Sequence, residues 1–441
     1  MTDTQDQDTT ESTLDETALI ARDLIRFDTS NFGEGKSNGE ADAAEYLSAK
    51  LTALGLDSQM FESDKGRVSV VARVEGADPA KPALVVHGHT DVVPAQAENW
   101  SVDPFAGIVQ DGMLWGRGAV DMKNMNAMIV TALHDILAAG KQPARDLVIA
   151  FFADEEAGGV YGSQYMVDKH PELFAGATEA ISEVGGYSID LEGQRAYLIQ
   201  TGEKSLIWIK LVAKGAAAHG SLYGQDNVVT RLAEAVATIG RHEWPLTLTH
   251  TTTDLLGRVA AILGKDPQVV GPDELAIATG TASGFIRATL RTTSNPTLLN
   301  AGYKHNVIPE LAEALIDIRT LPGEEESVLA QIKGMVGPDI DVVTMHRDIG
   351  LETTFDGPLI ETITRTLNSH DPEAKVLPYL LSGGTDNKAL NQLGITGYGF
   401  APLKLPAHLD FPAMFHGVDE RVPLDALVFG RQVLGDLLLN Y

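Results

Sequence analysis

The sequence predicts an α/β protein whose mostly parallel sheet is flanked by helices and interrupted by an inserted α+β domain. Short apolar runs, typical of strands buried on both faces, alternate with stretches of helical spacing, which is the pattern of a doubly wound sheet. The runs at 83–86 (ALVV) and 146–152 (DLVIAFF) each lead directly into polar residues, HGHTD and ADEE. Reactive side chains of open α/β sheets collect beyond the carboxyl ends of the strands, so these turns are candidate site segments.

The elements before residue 202 follow from hydrophobic periodicity. Leu19, Ile20, Leu24 and Ile25, for example, recur at the spacing of one helix face, whereas the strands are short continuous apolar runs. A glycine-punctuated turn, WGRGAVD, ends at Asp121 and precedes a helix. By these criteria the predicted helices cover 16–27, 38–54 and 122–137, and the predicted strands cover 67–74, 83–86, 146–152 and 180–181.

Near Gly202 the strands begin to alternate between apolar and polar residues, as expected for a sheet with one solvated face. A chain of 441 residues is also too long for one ordinary core. We therefore predict a discontinuous first domain, 1–201 with 320–441, and an inserted domain, 202–319. The inserted domain has predicted strands over 205–212, 284–290 and 312–318, a helix over 224–239 and no clear period over 244–278. The α/β pattern returns with strands over 340–346, 376–380 and 397–401 and a helix over 424–439.

The composition argues against several classes of partner and site. A formal net charge of −28 argues against binding to nucleic acid or to an anionic membrane surface. The chain has no cysteine, so disulfides are excluded and a metal would be held by His, Asp and Glu alone. The first residues, MTDTQDQDTTEST, are polar and acidic, and no apolar run approaches the ~20 residues of a membrane span. We therefore predict a cytoplasmic protein without a signal peptide.

Carboxylates and imidazoles stand at the predicted strand ends and turns. Without thiolates, such a set fits a metal of hard or borderline character, such as zinc, cobalt or manganese. Two metal ions need one bridging carboxylate and roughly two further ligands each, and a leftover carboxylate would act as general base. Asp91, two positions after His89 on extended backbone, could hold the second nitrogen of that ring. The candidate residues are His89, Asp121, Glu155, Glu156, Glu183 and His416.

Each of these residues also has a purely structural interpretation. The Asp-Glu-Glu run at 154–156 is typical of a solvated charge run or a helix start, and Asp121 could cap the helix that follows it. His416 taken alone is more often structural than ligating, and His89 could be satisfied by a carboxylate of its own turn. The joint placement of these residues at successive strand ends favours a metal site over coincidence.

A series of short segments extends this argument over most of the chain, from about residue 87 to about residue 420. In order they are GHTDVVP, WGRGAVDMK, DEEAGG, SEVGG, AAAHGS, NVIPE, DIRTLPG, SGGTD and FHGVDE. The combination resembles the co-catalytic zinc hydrolases that include succinyl-diaminopimelate desuccinylase, acetylornithine deacetylase, aminoacylase and glutamate carboxypeptidase. It is most similar to the carboxypeptidase S-like dipeptidases. The resemblance implies a zinc-peptidase-like catalytic domain with an inserted ferredoxin-like lid that also forms a homodimer.

The resemblance further implies a ligand set for two divalent ions per chain, with zinc as the first expectation and cobalt or manganese as alternatives. His89, Asp121 and Glu183 would hold one ion. Asp121, Glu156 and His416 would hold the other, so that the carboxylate of Asp121 bridges the pair.

Catalytic roles follow from the same resemblance. Glu155 would be the general base that takes a proton from a metal-bridging water, and Asp91 would orient His89. His219, in the inserted domain, would polarise the scissile carbonyl and stabilise its oxyanion from the opposite subunit of the dimer. Other histidines match no ligand position and are predicted to be structural; these are His87, His134, His305 and His346.

The resemblance also implies contacts with a small substrate. Asn306 and Arg319 would bind a substrate carboxylate, to which the fork of guanidinium donors is suited, and Thr385 would add hydrogen bonds. Arg319 could instead pair only with Asp317. The predicted function is dinuclear metal-dependent hydrolysis of an amide bond in a dipeptide or an N-acyl amino acid. The alternatives are an N-deacylase or desuccinylase of an amino-acid biosynthetic intermediate, an esterase with the same centre, and a non-catalytic binding protein.

Overall fold

The centre of the molecule is a mixed β-sheet whose parallel strands lie side by side. In the computed structural model, which describes residues 14–223 and 226–441, these strands are Thr396–Gly399, Ala177–Ser182, Ala83–His89 and Leu147–Phe152, in that order. The last two are buried along their whole length, as continuous apolar runs require of strands covered on both faces. The predicted α/β fold is therefore confirmed.

The sheet continues outward with antiparallel pairs on both sides. Arg67–Val74 runs antiparallel to Leu147–Phe152, and Ser58–Asp64 forms that edge. The full strand order is Ser188–Leu191, Gln194–Glu203, Thr396–Gly399, Ala177–Ser182, Ala83–His89, Leu147–Phe152, Arg67–Val74 and Ser58–Asp64, with Lys375–Leu381 and Leu351–Glu352 also paired to Gln194–Glu203.

Helices cover both faces of this sheet because side chains alternate along each central strand. In the strand Ala83–His89, Leu84 and Val86 join the core on one face, whereas Val85 joins the core on the other. The first face carries the helices Glu16–Ile25, Ala41–Ala53, Lys123–Ala138, Pro358–His370 and Leu424–Asn440, and the second carries Ser163–Lys169 and Asn387–Asn391.

A second, antiparallel sheet has its own core. Its strand order is Thr293–Ala301, Leu311–Thr320, Ser205–Lys214 and Asp341–Arg347. The helices Val228–Gly240 and Glu325–Val336 pack on one face of it, where the inward residues include Ile207, Ile209 and Leu211. The chain runs through these elements as strand–helix–strand–strand–helix–strand, which is the predicted ferredoxin-like arrangement.

The intervening segment between these elements packs elsewhere. Three helices, His250–Ile262, Pro272–Ile277 and Ser283–Ala288, contribute their apolar side chains to the core of the large sheet. We therefore propose that the lid comprises 205–240 and 293–347. The domain boundaries predicted from the sequence, at 202 and 319, remain a prediction.

The strand predicted over 284–290 is wrong, because this segment forms the helix Ser283–Ala288. The stretch GFIRATL is too short for its alternation to separate a strand from a helix, and packing on the large core decides the outcome. The neighbouring helices have local start signals that periodicity missed. Thr249 and Thr252 form a capping box at the start of His250–Ile262, and Pro272 opens the next helix.

Short elements complete the structure. The two-stranded pairs are Asn31–Gly33 with Lys36–Ser37 and Ala218–His219 with Val307–Ile308, and a three-stranded sheet joins Ile108–Gln110, Met113–Trp115 and Arg421–Pro423. Single 3-10 turns cover Ala97–Asn99, Glu155–Ala157, Pro171–Phe174, Gly280–Ala282 and Pro412–Met414. Among the described residues, no helix combines the length and the apolar character needed to cross a bilayer.

Candidate metal centre and active site

The side chains predicted to hold metal meet at the carboxyl ends of the central parallel strands. His89 Nε2 lies 3.1 Å from Asp121 Oδ1 and 3.3 Å from Glu183 Oε2. His416 Nε2 lies 3.4 Å from the other oxygen of Asp121 and 3.0 Å from Glu156 Oε2. Asp121 therefore presents one carboxylate oxygen to each histidine, which is the arrangement that a bridging ligand requires.

The chemistry of these donors fits divalent cations. Ligand atoms of His89, Asp121 and Glu156 lie within 4.8 Å of one another, and so do those of His89, Glu155 and Glu183. Glu156 Oε1 is buried and has no hydrogen-bond partner among the described residues, so an acceptor in the centre remains to be satisfied. Nitrogen and carboxylate donors in this proportion suit zinc and similar ions.

The electrostatics of the centre also favour a bound cation. Burial raises the pKa of Glu183 to about 8, and burial together with the charge of Asp121 raises the pKa of Glu156. Hydrogen bonds to the carboxylates of Asp121 and Glu156 raise the pKa of His416 to about 11. Crowded, buried carboxylates thus retain protons, and a positive charge placed among them would favour their ionised forms.

Glu155 lies beside the proposed ligands without being the nearest of them. Its Oε2 is 3.9 Å from His89 Nε2, and its side chain is 14% exposed. Burial, followed by the charge of Glu183, raises the pKa of Glu155 well above its ordinary value. A carboxylate whose pKa is raised in this way is a stronger proton acceptor, as a general base must be.

Asp91 connects the histidine to the turn that carries both glutamates. His89 Nδ1 lies 2.9 Å from the backbone oxygen of Asp91 and 3.4 Å from its carboxylate. The carboxylate of Asp91 also accepts the backbone N–H groups of Glu155 and Glu156, at 3.1 and 3.2 Å. Asp91 therefore holds the ring and the turn in a fixed relation, and the backbone oxygen shares the contact with the ring that was predicted for the carboxylate.

Two residues that sequence reasoning missed hold the same turn from behind. Asn31 donates to Asp91 at 2.8 Å and to Asp154 at 3.0 Å, and Arg67 forms a buried ion pair with Asp154. Asp154 itself has a left-handed backbone with φ 65°, which directs the following glutamates out of the strand. Asn31 and Arg67 come from distant segments, so no local pattern signalled them.

A second pair of residues links the loops of Asp121 and His416. Glu420 is fully buried, and its carboxylate accepts the N–H groups of Val120 and Asp121, at 2.6 and 2.9 Å. Arg117 donates to the same carboxylate at 2.9 Å and to the backbone oxygen of Gly417 at 3.0 Å. Both residues lie in the segments WGRGAVDMK and FHGVDE, but the spacing of those segments gave no role to either.

A cavity of about 600 Å³ opens above the centre and extends to the lid. Arg319 lies in its lining, but its Nε and Nη2 atoms also donate to Asp317, at 2.9 and 3.0 Å. The alternative pairing of Arg319 with Asp317 is thus present, whereas its contact with a substrate remains a prediction. Thr385 also lines the cavity, and its N–H donates to Glu203 at 2.6 Å.

Other polar residues of this wall were not predicted. Lys388 Nζ donates to Asp348 at 2.7 Å and to the backbone oxygen of Lys204 at 2.9 Å. His346, which was predicted to be structural, also lines the cavity, and its ring centroid lies 5.3 Å from that of Trp208. His346 comes from the last strand of the lid, and Lys388 comes from the helix Asn387–Asn391, which directly follows SGGTD.

His219 and Asn306 are adjacent to each other but lie apart from the cavity. They are exposed at the ends of the paired strands Ala218–His219 and Val307–Ile308, where the N–H of Gly220 donates to the oxygen of Asn306 at 2.9 Å. Within the part of the chain that the structure describes, neither residue lines the cavity. Their roles in catalysis and substrate binding remain predictions.

Comparison with known proteins gives a consistent result. The sequence profile of peptidase family M20/M25/M40 matches residues 85–440. The chain is 27% identical to the N-fatty-acyl-amino acid synthase/hydrolase PM20D1 of Bos taurus, over 88% of this chain and 79% of that protein. It is 25% identical to aminoacylase-1 of Sus scrofa, over 90% of this chain and 89% of that protein. The crystal structure of an M20 family metallo-carboxypeptidase from Sulfolobus solfataricus has a similar fold, with a TM-score of 0.73 and 18% identity over 96% of this chain and 99% of that one.

Proposed function

The chain belongs to peptidase family M20/M25/M40, hydrolases that act on amide bonds, and from this premise we propose that it cleaves a dipeptide or an N-acyl amino acid at a dinuclear metal centre. The observation that carries the proposal is the position of Asp121, with one oxygen toward each histidine and Glu155 alongside. The bovine relative is an N-fatty-acyl-amino acid synthase/hydrolase and the porcine relative is an aminoacylase, which supports acylated amino acids as the substrate class.

The protein would hold its ions through the ligands already described. His89, Asp121 and Glu183 would bind one ion, and Asp121, Glu156 and His416 would bind the other. Divalent ions at this site supply Lewis acidity, which makes water a stronger nucleophile at neutral pH and polarises a carbonyl oxygen. Zinc is the first expectation, with cobalt and manganese as alternatives.

The side chains around the ions perform the proton transfers. Glu155 accepts a proton from the attacking water at its carboxylate and returns it to the leaving nitrogen. Asp91 keeps His89 and the glutamate turn in register, so that the base stays close to the ligands. His219 would stabilise the oxyanion that develops on the scissile carbonyl.

The substrate carboxylate would bind to Arg319, with Asn306 and Thr385 as further donors. Because Asp317 accepts one N–H from Nε and one from Nη2 of Arg319, both N–H groups of Nη1 and the second N–H of Nη2 remain for an anion. Arg319 in the cavity wall supports this anchor, and the outward position of Asn306 agrees with a contribution from a second subunit.

The direct test is a hydrolysis screen of dipeptides, N-acetyl amino acids and N-succinyl amino acids with added zinc, cobalt or manganese. Each substrate is paired with its C-terminal amide. Turnover of N-succinyl substrates alone would favour the desuccinylase alternative. Absence of turnover throughout the screen, with less than two equivalents of metal bound, would favour a binding protein and contradict the proposal.

The variant Arg319→Gln is expected to lower kcat/KM for free acids about 10- to 100-fold, since a charged hydrogen bond contributes about 1.5–3 kcal/mol. The same variant should leave the slow hydrolysis of the C-terminal amides unchanged. Arg347→Gln is the matched control, because Arg347 also forms an ion pair in the lid, with Glu326, but does not line the cavity. Equal losses on acids and amides would show that Arg319 serves the fold and not the carboxylate.

A homodimer through the lid is part of the proposal. The edge strand Thr293–Ala301 is exposed from Asn295 onward, and the apolar side chains of Leu298 and Leu299 are 50% and 58% exposed. A long exposed edge with apolar side chains is unusual unless another chain covers it. A second copy would also bring the exposed His219 toward a cavity.

A cytoplasmic location stays a prediction.

We expect wild-type protein to sediment as a species of twice the 47.1 kDa chain mass. Leu298→Glu should shift the protein to monomer and lower kcat, because a charge on the edge strand prevents pairing and removes His219 from the partner's site. Met345→Glu, an equally exposed change on the opposite edge strand, is the control. A wild-type protein that stays monomeric at micromolar concentration would contradict the dimer.

A further inference from the structure

One wall of the cavity is apolar and borders the metal ligands directly. Val184 follows the predicted ligand Glu183 in the chain, Phe415 precedes the predicted ligand His416, and both residues line the cavity. Phe285, from the helix Ser283–Ala288, lies against Phe415 with 6.1 Å between ring centroids. We name these three side chains, Val184, Phe285 and Phe415, the acyl wall.

We propose that the acyl wall is a subsite for an apolar acyl group larger than acetyl on the substrate's nitrogen, a specificity that rests on the proposed amide hydrolysis. Apolar groups beside a reacting carbonyl stabilise a substrate only if it carries apolar surface at that end. A dipeptide with a free amino group would place that charge against the apolar surface, where it would lose water without gaining a hydrogen-bond or ion-pair partner.

The backbone of Val184 supports a role for its side chain. Val184 has a φ of 53°, in the left-handed region that β-branched residues rarely adopt because it strains the backbone. Two glycines follow it, Gly185 and Gly186, and both meet backbone atoms so closely that a Cβ would clash. The strained turn therefore points to a constraint at Val184, which lines the cavity next to Glu183.

The acyl wall is continuous with a second apolar crevice. Glu183, Val184 and Phe415 line both spaces, and Met125, Leu403 and Phe411 lie deeper. The ring of Phe411 meets that of Phe415 at 5.5 Å, edge to face. The crevice has room for about one water, at about 10 Å³, so the acyl group would occupy the main cavity and press against Phe415.

The cationic groups of the cavity form a separate cluster. Lys388 and Arg319 are each held by a carboxylate, Asp348 just after the last lid strand at 2.7 Å and Asp317 in the lid at 2.9 Å. None of these contacts involves the acyl wall. The cavity thus offers a carboxylate anchor and an apolar surface with the metal ligands within the same lining, as an N-acyl amino acid requires.

The test measures kcat/KM for the N-acetyl, N-butyryl, N-hexanoyl and N-octanoyl forms of one amino acid, with zinc bound. Wild-type protein should gain up to about fourfold per methylene over the early part of the series, the value for full burial of that group. Calorimetry should show that affinity for the Glu155→Gln variant, which does not turn the substrates over, rises along the same series.

Phe285→Ala should lower kcat/KM for the hexanoyl substrate about tenfold and change the acetyl substrate less than about twofold. Phe285→Leu, which keeps an apolar side chain in place, should retain most of the preference and also shows that the helix still folds. Ile277→Ala is the control, an exposed apolar residue of the neighbouring helix that does not line the cavity.

A flat dependence on acyl length in the wild type would overturn the acyl wall, and so would equal losses on acetyl and hexanoyl substrates in Phe285→Ala. Either result would leave the proposed hydrolase intact if N-acetyl amino acids are cleaved. Failure to cleave any amide in the series would instead contradict the proposed function itself.

Discussion

Glu155→Gln is expected to lower kcat about 10²–10⁴-fold while leaving the metal content unchanged. Gln has the same shape but cannot accept the proton of the attacking water, whereas the predicted ligands His89, Asp121 and Glu183 are untouched. Metal content is measured by elemental analysis after dialysis, and kcat with the best substrate of the screen.

Glu172→Gln is the matched control for this variant. Glu172 lies in the following 3-10 turn, with its side chain 67% exposed, and makes no contact with the centre. If Glu155→Gln keeps the wild-type kcat, then another group is the base. If its metal content falls instead, Glu155 is a ligand and the division of roles between the adjacent glutamates must be reversed.

Asp121→Asn is expected to reduce bound metal from two equivalents to one or fewer and to lower kcat/KM at least about 10²-fold. Among the described residues, Asp121 is the one carboxylate within 4.0 Å of both His89 and His416, so an amide, which has one acceptor oxygen, can serve one half of the centre at most. If the site holds two ions as proposed, loss of one would remove several kcal/mol of charge stabilisation.

Calorimetric titration of metal-free protein with zinc gives the number of sites directly. Asp168→Asn, an exposed change on the helix Ser163–Lys169, should leave both the stoichiometry and the rate unchanged. Two tight sites in Asp121→Asn would refute the bridging role, whereas one site with full activity would refute the dinuclear mechanism and leave the fold assignment standing.

The parts of the site that could be predicted from the sequence are those that depend on a local pattern of apolar and polar residues. Strands such as Leu147–Phe152 are continuous apolar runs, so their ends, and the polar residues just beyond them, are visible without a structure. Parallel pairing then brings Glu156 and Glu183 to one edge of the sheet, although the two residues are far apart in the chain. The family resemblance was needed to assign the ligands, and it is confirmed by the family to which the chain belongs.

The parts that sequence could not predict depend on long-range contacts. Arg67 and Asn31 reach Asp154 across large sequence separations, and nothing near Asn31 indicates a role in shaping a distant turn. Phe285 belongs to a segment whose short alternation suggested a strand, and only its packing on the large core makes it helical. We propose that His219 and Asn306 complete the site of a second chain, and such a contact between chains leaves no local pattern in one sequence.

The contacts of Glu420 and Arg117, which link the loops of Asp121 and His416, affect the order in which the site is assembled during synthesis. Glu420 lies 300 residues after Val120, whose N–H it accepts, and only a few residues after the ligand His416. Until the last part of the chain has been made, the N–H groups in the loop of Asp121 therefore lack their buried acceptor, the carboxylate of Glu420. We expect a nascent or truncated chain that ends before this point to hold neither ion in its final place. Metal loading should then report the arrival of the C-terminal segment, and a protein cut short there would be recognisable by its lack of bound metal even if the large sheet had formed.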